Sequence, residues 1–337
     1  MPPVPAPESA TRPRGFRSDN NAGLVPEAAE ALVACAGGHA CGYGDDPWTD
    51  RATAAFRRLL GEEAEVFLVA TGTAANTLAV AALTEPWQQV VCHRHSHWND
   101  DESTAPERMT GCRTVPVEND PSKLLPEDIH RINANGRGDV HQPQPGVVTI
   151  SNPTEFGTVY SPEETRALAE AAHAGGSRLH VDGARLANAV AATGGDARGL
   201  LTDAGVDAVS FGGTKNGLAF GEAIVLLPQG DGSEARRAAA RLPYLRKASG
   251  HLLSKHRFVA APFAATLESG AWLVHAAHAN AMAARLGAGL ADLGLAPAFP
   301  VQANGVFVRL PEAVHAGLQA RGHGYYPFGD AADGLRI

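Results

Sequence analysis

Six short apolar runs, spread over residues 66–227 and separated by stretches of helical texture, leave few folds open to this chain. They occupy residues 66–70, 90–92, 147–150, 179–181, 208–211 and 223–227. Short, mostly apolar runs of this kind read as strands buried on both faces rather than strands with one wet side. Helical stretches between several of them make the connections crossovers, which implies an α/β fold with a mainly parallel sheet. One helix start is plainly marked. Ser161 stands as N-cap, Pro162 takes the first helical position, and Glu164 follows three residues after the serine. From about Lys255 the texture turns to long Ala- and Leu-rich helices, followed by a strand over 306–310 and a helix near 311–321. We read residues 255–337 as a smaller α/β C-terminal domain, 16–254 as the large domain, and the Pro-, Ala- and Arg-rich residues 1–15 as a mobile arm.

Three of the expected strands end in residues with chemistry. One run leads into His180-Val181-Asp182-Gly183-Ala184-Arg185, and the next into Ser210-Phe211-Gly212-Gly213-Thr214-Lys215-Asn216-Gly217. An acid at one strand end and a lysine at the next is what a pyridoxal phosphate enzyme needs. The lysine amine forms a Schiff base with the cofactor aldehyde, and the carboxylate keeps the pyridinium nitrogen protonated. Upstream, Val66-Phe67-Leu68-Val69-Ala70 runs into Thr71-Gly72-Thr73-Ala74-Ala75-Asn76, a strand passing directly into a helix. Free N–H groups and the positive helix end make that turn an anion site. Gly72 lets a phosphate approach the backbone closely. No Gly-Lys-Ser/Thr follows, so the turn is not a P-loop.

Composition removes several function classes. The formal charge is −8 and no dense basic run occurs, which argues against a nucleic-acid partner. No apolar run reaches membrane length and no leader segment is visible. Four cysteines (Cys35, Cys41, Cys92 and Cys112) without a CxxC are too sparse for a disulfide framework and suit a reducing cytoplasm. With 337 residues, 44% of them hydrophobic, the chain can bury a large core. A rival chemistry comes from His93-Arg94-His95-Ser96-His97-Trp98-Asn99-Asp100-Asp101-Glu102. On a strand, His93, His95 and His97 share one face, and alternating histidines beside carboxylates can bind zinc for hydrolysis. His141, His173 and His180 are candidate further ligands. That reading leaves Asp182, Lys215 and the anion turn unexplained.

An ordered series of stretches resembles the low-specificity L-threonine aldolases, within the fold type I pyridoxal phosphate superfamily and its beta-eliminating lyase/threonine aldolase group. The series is Phe16-Arg17-Ser18-Asp19-Asn20, Tyr43-Gly44, Phe67 to Asn76, His97 with Asn99-Asp100 and Glu102, and Thr154-Glu155-Phe156-Gly157-Thr158-Val159-Tyr160. His180 to Arg185, Ser210 to Gly217, Gly250-His251-Leu252, Ser254-Lys255 and Ala303-Asn304 complete it. The resemblance implies an aspartate aminotransferase-like fold and a reversible aldol cleavage of L-threonine, L-allo-threonine and related L-β-hydroxy-α-amino acids to glycine and an aldehyde. It implies Lys215, Asp182, Gly72, Thr73, Thr214, Arg185 and Lys255 as cofactor contacts, with His97 lying over the cofactor ring. The substrate carboxylate goes to Arg185 and Arg336, with Ser18 helping, because arginine suits a bidentate carboxylate. The base that takes the β-hydroxyl proton is His97 or Glu155. Tyr43 and Lys255 reach the site of a neighbouring subunit in a homodimer or homotetramer. The resembling enzymes continue past Gly334-Leu335-Arg336-Ile337, so either the sequence is truncated there or the small domain is shortened. A specialised transaldolase or a β-eliminating lyase is the alternative within the superfamily.

Overall fold

In the computed structural model the described residues are 14–119, 123–230, 232–328 and 334–336. The strands are β1 (Arg14–Gly15), β2 (Glu65–Val69), β3 (Gln88–His93), β4 (Arg113–Val117), β5 (Gln144–Ser151), β6 (Arg178–Gly183), β7 (Ala208–Gly212), β8 (Glu222–Leu226), β9 (Val308–Arg309), β10 (His323–Gly324) and β11 (Leu335–Arg336). Seven of them form one sheet in the order β2-β8-β7-β6-β5-β3-β4. All neighbours are parallel except β8, which runs against both β2 and β7. The first residue of β8 therefore lies at the same sheet end as the last residues of the others.

Each of the six apolar runs falls on a strand of this sheet. The strand over 113–117 was not among them, because Arg113, Thr114 and Pro116 interrupt its apolar pattern. It is the edge strand β4, where a proline costs no ladder hydrogen bond. Consecutive side chains point to opposite faces, and both faces are covered. Val91, Val148, Val181, Val209 and Val225 join one core, while Val90, Val147, Ala208 and Ile224 join the other. The helix Gly72–Leu83 is small and apolar on almost every side, so it is buried nearly all round. The helix Pro162–Ala174 begins as its sequence predicts: Ser161 Oγ accepts from Glu164 N, and Ser161 N donates to the Glu164 carboxylate at 2.7 Å.

The first helix past Lys255 packs on the main core. The helix Arg257–Ser269 places Val259, Ala260, Phe263 and Ala264 in the larger core. There Phe263, Phe56, Phe211 and, from the next helix Ala271–Asp292, Trp272 stack with centroids 5.1–6.4 Å apart. The Ala-rich texture reflects helices packed closely on this core. Past Asp292 the chain contributes to two small sheets, β9 antiparallel to β11 and β1 parallel to β10. Residues 1–13 of the expected arm lie outside the described residues, and Arg14–Gly15 is a strand of that second sheet. Phe156, Phe299, Phe307 and Phe328 pack together and tie the loop after β5 to this part.

Candidate active site

The ends of β2, β6 and β7 lie at one end of the sheet. Asp182, next to last in β6, lies opposite Ser210 of β7, and β7 leads into the turn Thr214–Asn216 that carries Lys215. At the end of β2, Thr71 caps the helix Gly72–Leu83 by accepting from Ala74 N at 3.2 Å. The N–H groups of Gly72 and Thr73 have no protein acceptor among the described residues. A Cβ built on Gly72 would meet no heavy atom within 4 Å, so the approach to these donors is open. Aligned donors at a helix start with clear space before them fit a phosphate group.

One polar residue of that apolar helix joins the strand ends. Asn76 donates from Nδ2 to Asp182 Oδ2 at 2.8 Å and to Glu102 Oε1 at 2.9 Å. Glu102 Oε1 in turn meets His97 Nδ1 at 2.9 Å. The ligand atoms of His97, Glu102 and Asp182 all lie within 4.8 Å of one another. Asp182 Oδ1 also accepts from Ala184 N at 3.0 Å. The hydrogen bond to Glu102 raises the His97 pKa, and burial only partly opposes it. With Nδ1 committed to Glu102, Nε2 is the nitrogen left to exchange a proton. Glu155 holds the other side: its Oε1 accepts from His97 N at 2.7 Å and from the Ser151 hydroxyl. Burial pushes the Glu155 carboxyl up despite those two donors.

Because His97 binds its proton more tightly in the fold, the stability from the His97–Glu102 pair is complete below the ordinary histidine value of 6.5. It is lost as pH rises through the raised folded value. Glu102→Gln keeps an amide oxygen that can accept from both Asn76 and His97 but removes the charge. The His97 ring should then titrate lower, as followed by NMR, and the variant should lose more stability below pH 6.5 than well above the raised value. An unmoved His97 titration would show that Glu102 does not set it.

A second polar cluster lies across a cavity of about 930 Å³, whose lining includes Ser18, Asp19, Glu155, Arg185 and Asn304. Arg185 donates to Asp19 from Nε (2.6 Å) and Nη2 (2.9 Å), and Asn304 Nδ2 adds a bond at 3.1 Å. Burial works against the Asp19 charge, but the guanidinium and these hydrogen bonds outweigh it and hold Asp19 below the ordinary carboxylate range. Asp19 uses the Nε/Nη2 edge of Arg185 and leaves the Nη1/Nη2 edge for a second carboxylate. Ser18 is engaged as a cap, accepting from Asn20 N at 3.2 Å.

The other expected residues stand apart. Arg336 is buried in β11, donates from Nη1 to Leu335 O, and is not among the described residues lining this cavity. Tyr43 and Lys255 are exposed and adjoin each other, since Tyr43 N donates to Ser254 O at 3.0 Å. Thr214 lies beside Lys215 in the same turn. The histidine trio does not converge as zinc ligands do. His93 Nε2 meets Asn119 O, His95 meets Asp100, and His97 turns to Glu102. His180 is fully buried between Thr149 and Ser210, and burial pulls its pKa down to about 4. Asp19, Asn76 and Glu102 received no role from the sequence. The available signal was polarity out of place, clearest for Asn76 inside an apolar helix.

The sequence profile of the beta-eliminating lyase family matches residues 15–313. Low specificity L-threonine aldolases from Pseudomonas aeruginosa and Pseudomonas sp. are 44% and 42% identical, each over 93% of this chain and 89% of their own. The solved structure of Leishmania major threonine aldolase superposes with a TM-score of 0.88 at 28% identity, over 96% of this chain and 93% of that one. The architecture is that of the fold type I pyridoxal phosphate enzymes. On these matches, this chain belongs to the beta-eliminating lyase family, in the group of the low-specificity L-threonine aldolases.

Proposed function

We propose that this protein is a pyridoxal phosphate-dependent aldehyde-lyase that cleaves L-threonine, L-allo-threonine and related L-β-hydroxy-α-amino acids to glycine and an aldehyde. The observation that carries the reading is the chain Asp182–Asn76–Glu102–His97. It joins the acid at one strand end to an imidazole, beside the turn that presents Lys215. When bound, pyridoxal phosphate supplies the electron sink for breaking the Cα–Cβ bond. Gly72 and Thr73 N–H groups would hold its phosphate, Asp182 would keep its ring nitrogen protonated, and Lys215 would supply the amine that attaches it. Arg185, fixed by Asp19, offers its free edge to the substrate carboxylate. His97 Nε2 accepts the β-hydroxyl proton as the bond breaks, and Glu155 acts through His97 by fixing its backbone. Lys215 returns a proton to the α-carbon as glycine forms. Tyr43 and Lys255, exposed side by side, complete the site of a second copy in a homo-oligomer. Among the described residues no helix is long and apolar enough to cross a membrane, and the four cysteines are free thiols, which suits the cytoplasm.

The test is acetaldehyde release from L-threonine and L-allo-threonine with added pyridoxal phosphate, with Lys215→Ala as control. Lys215-dependent release is the expected result. Ammonia and a keto acid in place of acetaldehyde would replace the aldolase with an eliminating lyase.

A further inference from the structure

A buried carboxyl that the reaction does not use sits at the one reversed strand of the sheet. Because β8 runs against its neighbours, its first residue, Glu222, lies at the catalytic end. There it pairs with Val69 of β2 on one side and Gly212 of β7 on the other. Two residues past Val69 the chain reaches Thr71 and the anion turn; three past Gly212 it reaches Lys215. Glu222 is 6% exposed, and its Oε2 accepts from Gly213 N at 2.7 Å. Thr214, by side chain and backbone, also favours the charged form of this carboxyl. We propose that Glu222 is a positioning residue, which holds the Lys215-bearing turn in register with the anion turn and keeps a negative charge within electrostatic reach of the Lys215 amine.

The packing around the turn supports this role. A Cβ on Gly212 would lie 2.1 Å from Ala184 O, and one on Gly213 would lie 2.4 Å from Gly221 O and 2.6 Å from Phe263. The backbone therefore has one way to fit, and Glu222 is the side chain that receives its N–H groups. A neutral acceptor would satisfy those donors at less desolvation cost than a carboxyl. What the carboxyl adds is charge. Burial raises Glu222 to about 7 against the pull of Thr214, Gly213 and Lys215, so the neighbouring ammonium helps decide whether it is ionised. The charged groups that feel Lys215 from the surrounding elements are Asp19, His97 and Glu222.

The inference rests on Lys215 being the reactive amine, and its test is chosen to stand without the cofactor. In the cofactor-free protein, competitive acetylation of the lysines is read peptide by peptide by mass spectrometry. Glu222→Gln keeps an acceptor for Gly213 N and removes the charge. Labelling of Lys215 near neutral pH should rise about threefold, because losing a nearby negative charge favours the free amine. Lys123, Lys247 and Lys255 should label as before. Glu222→Ala should in addition speed hydrogen exchange at Gly213 and Thr214; if that variant fails to fold, Glu222→Gln carries the test alone. Unchanged Lys215 labelling in Glu222→Gln would overturn the proposal, and so would a change shared equally by all four lysines. If no variant binds pyridoxal phosphate, the functional reading fails while the labelling still reports on Glu222.

Discussion

Replacing Lys215 with alanine should lower acetaldehyde release by at least about a thousandfold, because a nucleophile that forms the covalent link has no partial substitute. The chain has only four lysines, and the other three are placed elsewhere. Lys123 donates to Val159 O and both oxygens of Glu164, Lys247 lies over the Tyr43 ring, and Lys255 is exposed. None can slide into the turn after β7. The visible absorbance of the cofactor-loaded protein should vanish with the amine. Stability should hold to within about 0.5 kcal/mol, since Lys215 makes no hydrogen bond or ion pair among the described residues. Equal melting with lost absorbance and turnover is the expected combination. A Lys215→Ala protein that keeps its visible band would move the reactive amine to another residue.

The sheet was legible in the sequence because strands buried on both faces carry apolar residues at successive positions: Val, Ile, Ala, Phe and Leu dominate β5, β7 and β8, with small polar residues such as Thr149 and Ser210 among them. The edge strand β4 escaped for the complementary reason, as only part of it is buried. Lys215 and Asp182 were legible because a charge directly after a buried run has little structural reason to be there. The side chains that organise the site were harder to see. Asp19 and Arg185 are 166 positions apart, Asn76 and Asp182 are 106 apart, and Glu222 meets the Lys215 turn only because β8 is reversed. No local period records such pairings. Composition is silent on a related point: alanine-rich helices look alike whether they cover the main core, as Arg257–Ser269 does, or start a new unit.

Changing Asp182 to asparagine should cost both stability and turnover, although the two side chains have the same shape. Both carboxylate oxygens are acceptors, Oδ2 from Asn76 Nδ2 and Oδ1 from Ala184 N. An asparagine has one acceptor and one donor, so whichever way it is turned its NH₂ group faces another donor. Rotating Asn76 to present its own oxygen would relieve that clash but withdraw the bond from Glu102 Oε1, in a place where Glu102 is 3% exposed and Oε2 already lacks a partner. The strain has nowhere to go without leaving a buried polar group unpaired, which puts the loss at about 1–3 kcal/mol. Turnover should fall further, by about a hundredfold or more, since the negative charge that holds the cofactor nitrogen protonated is gone. The same charge helps to raise the His97 pKa, after the larger effect of the Glu102 bond, so the ring should titrate lower in the variant. Melting, a histidine titration by NMR and acetaldehyde release together separate these effects. A variant with wild-type turnover would remove Asp182 from the chemistry, and one with wild-type melting would show that the donor pattern around it is not the one described here.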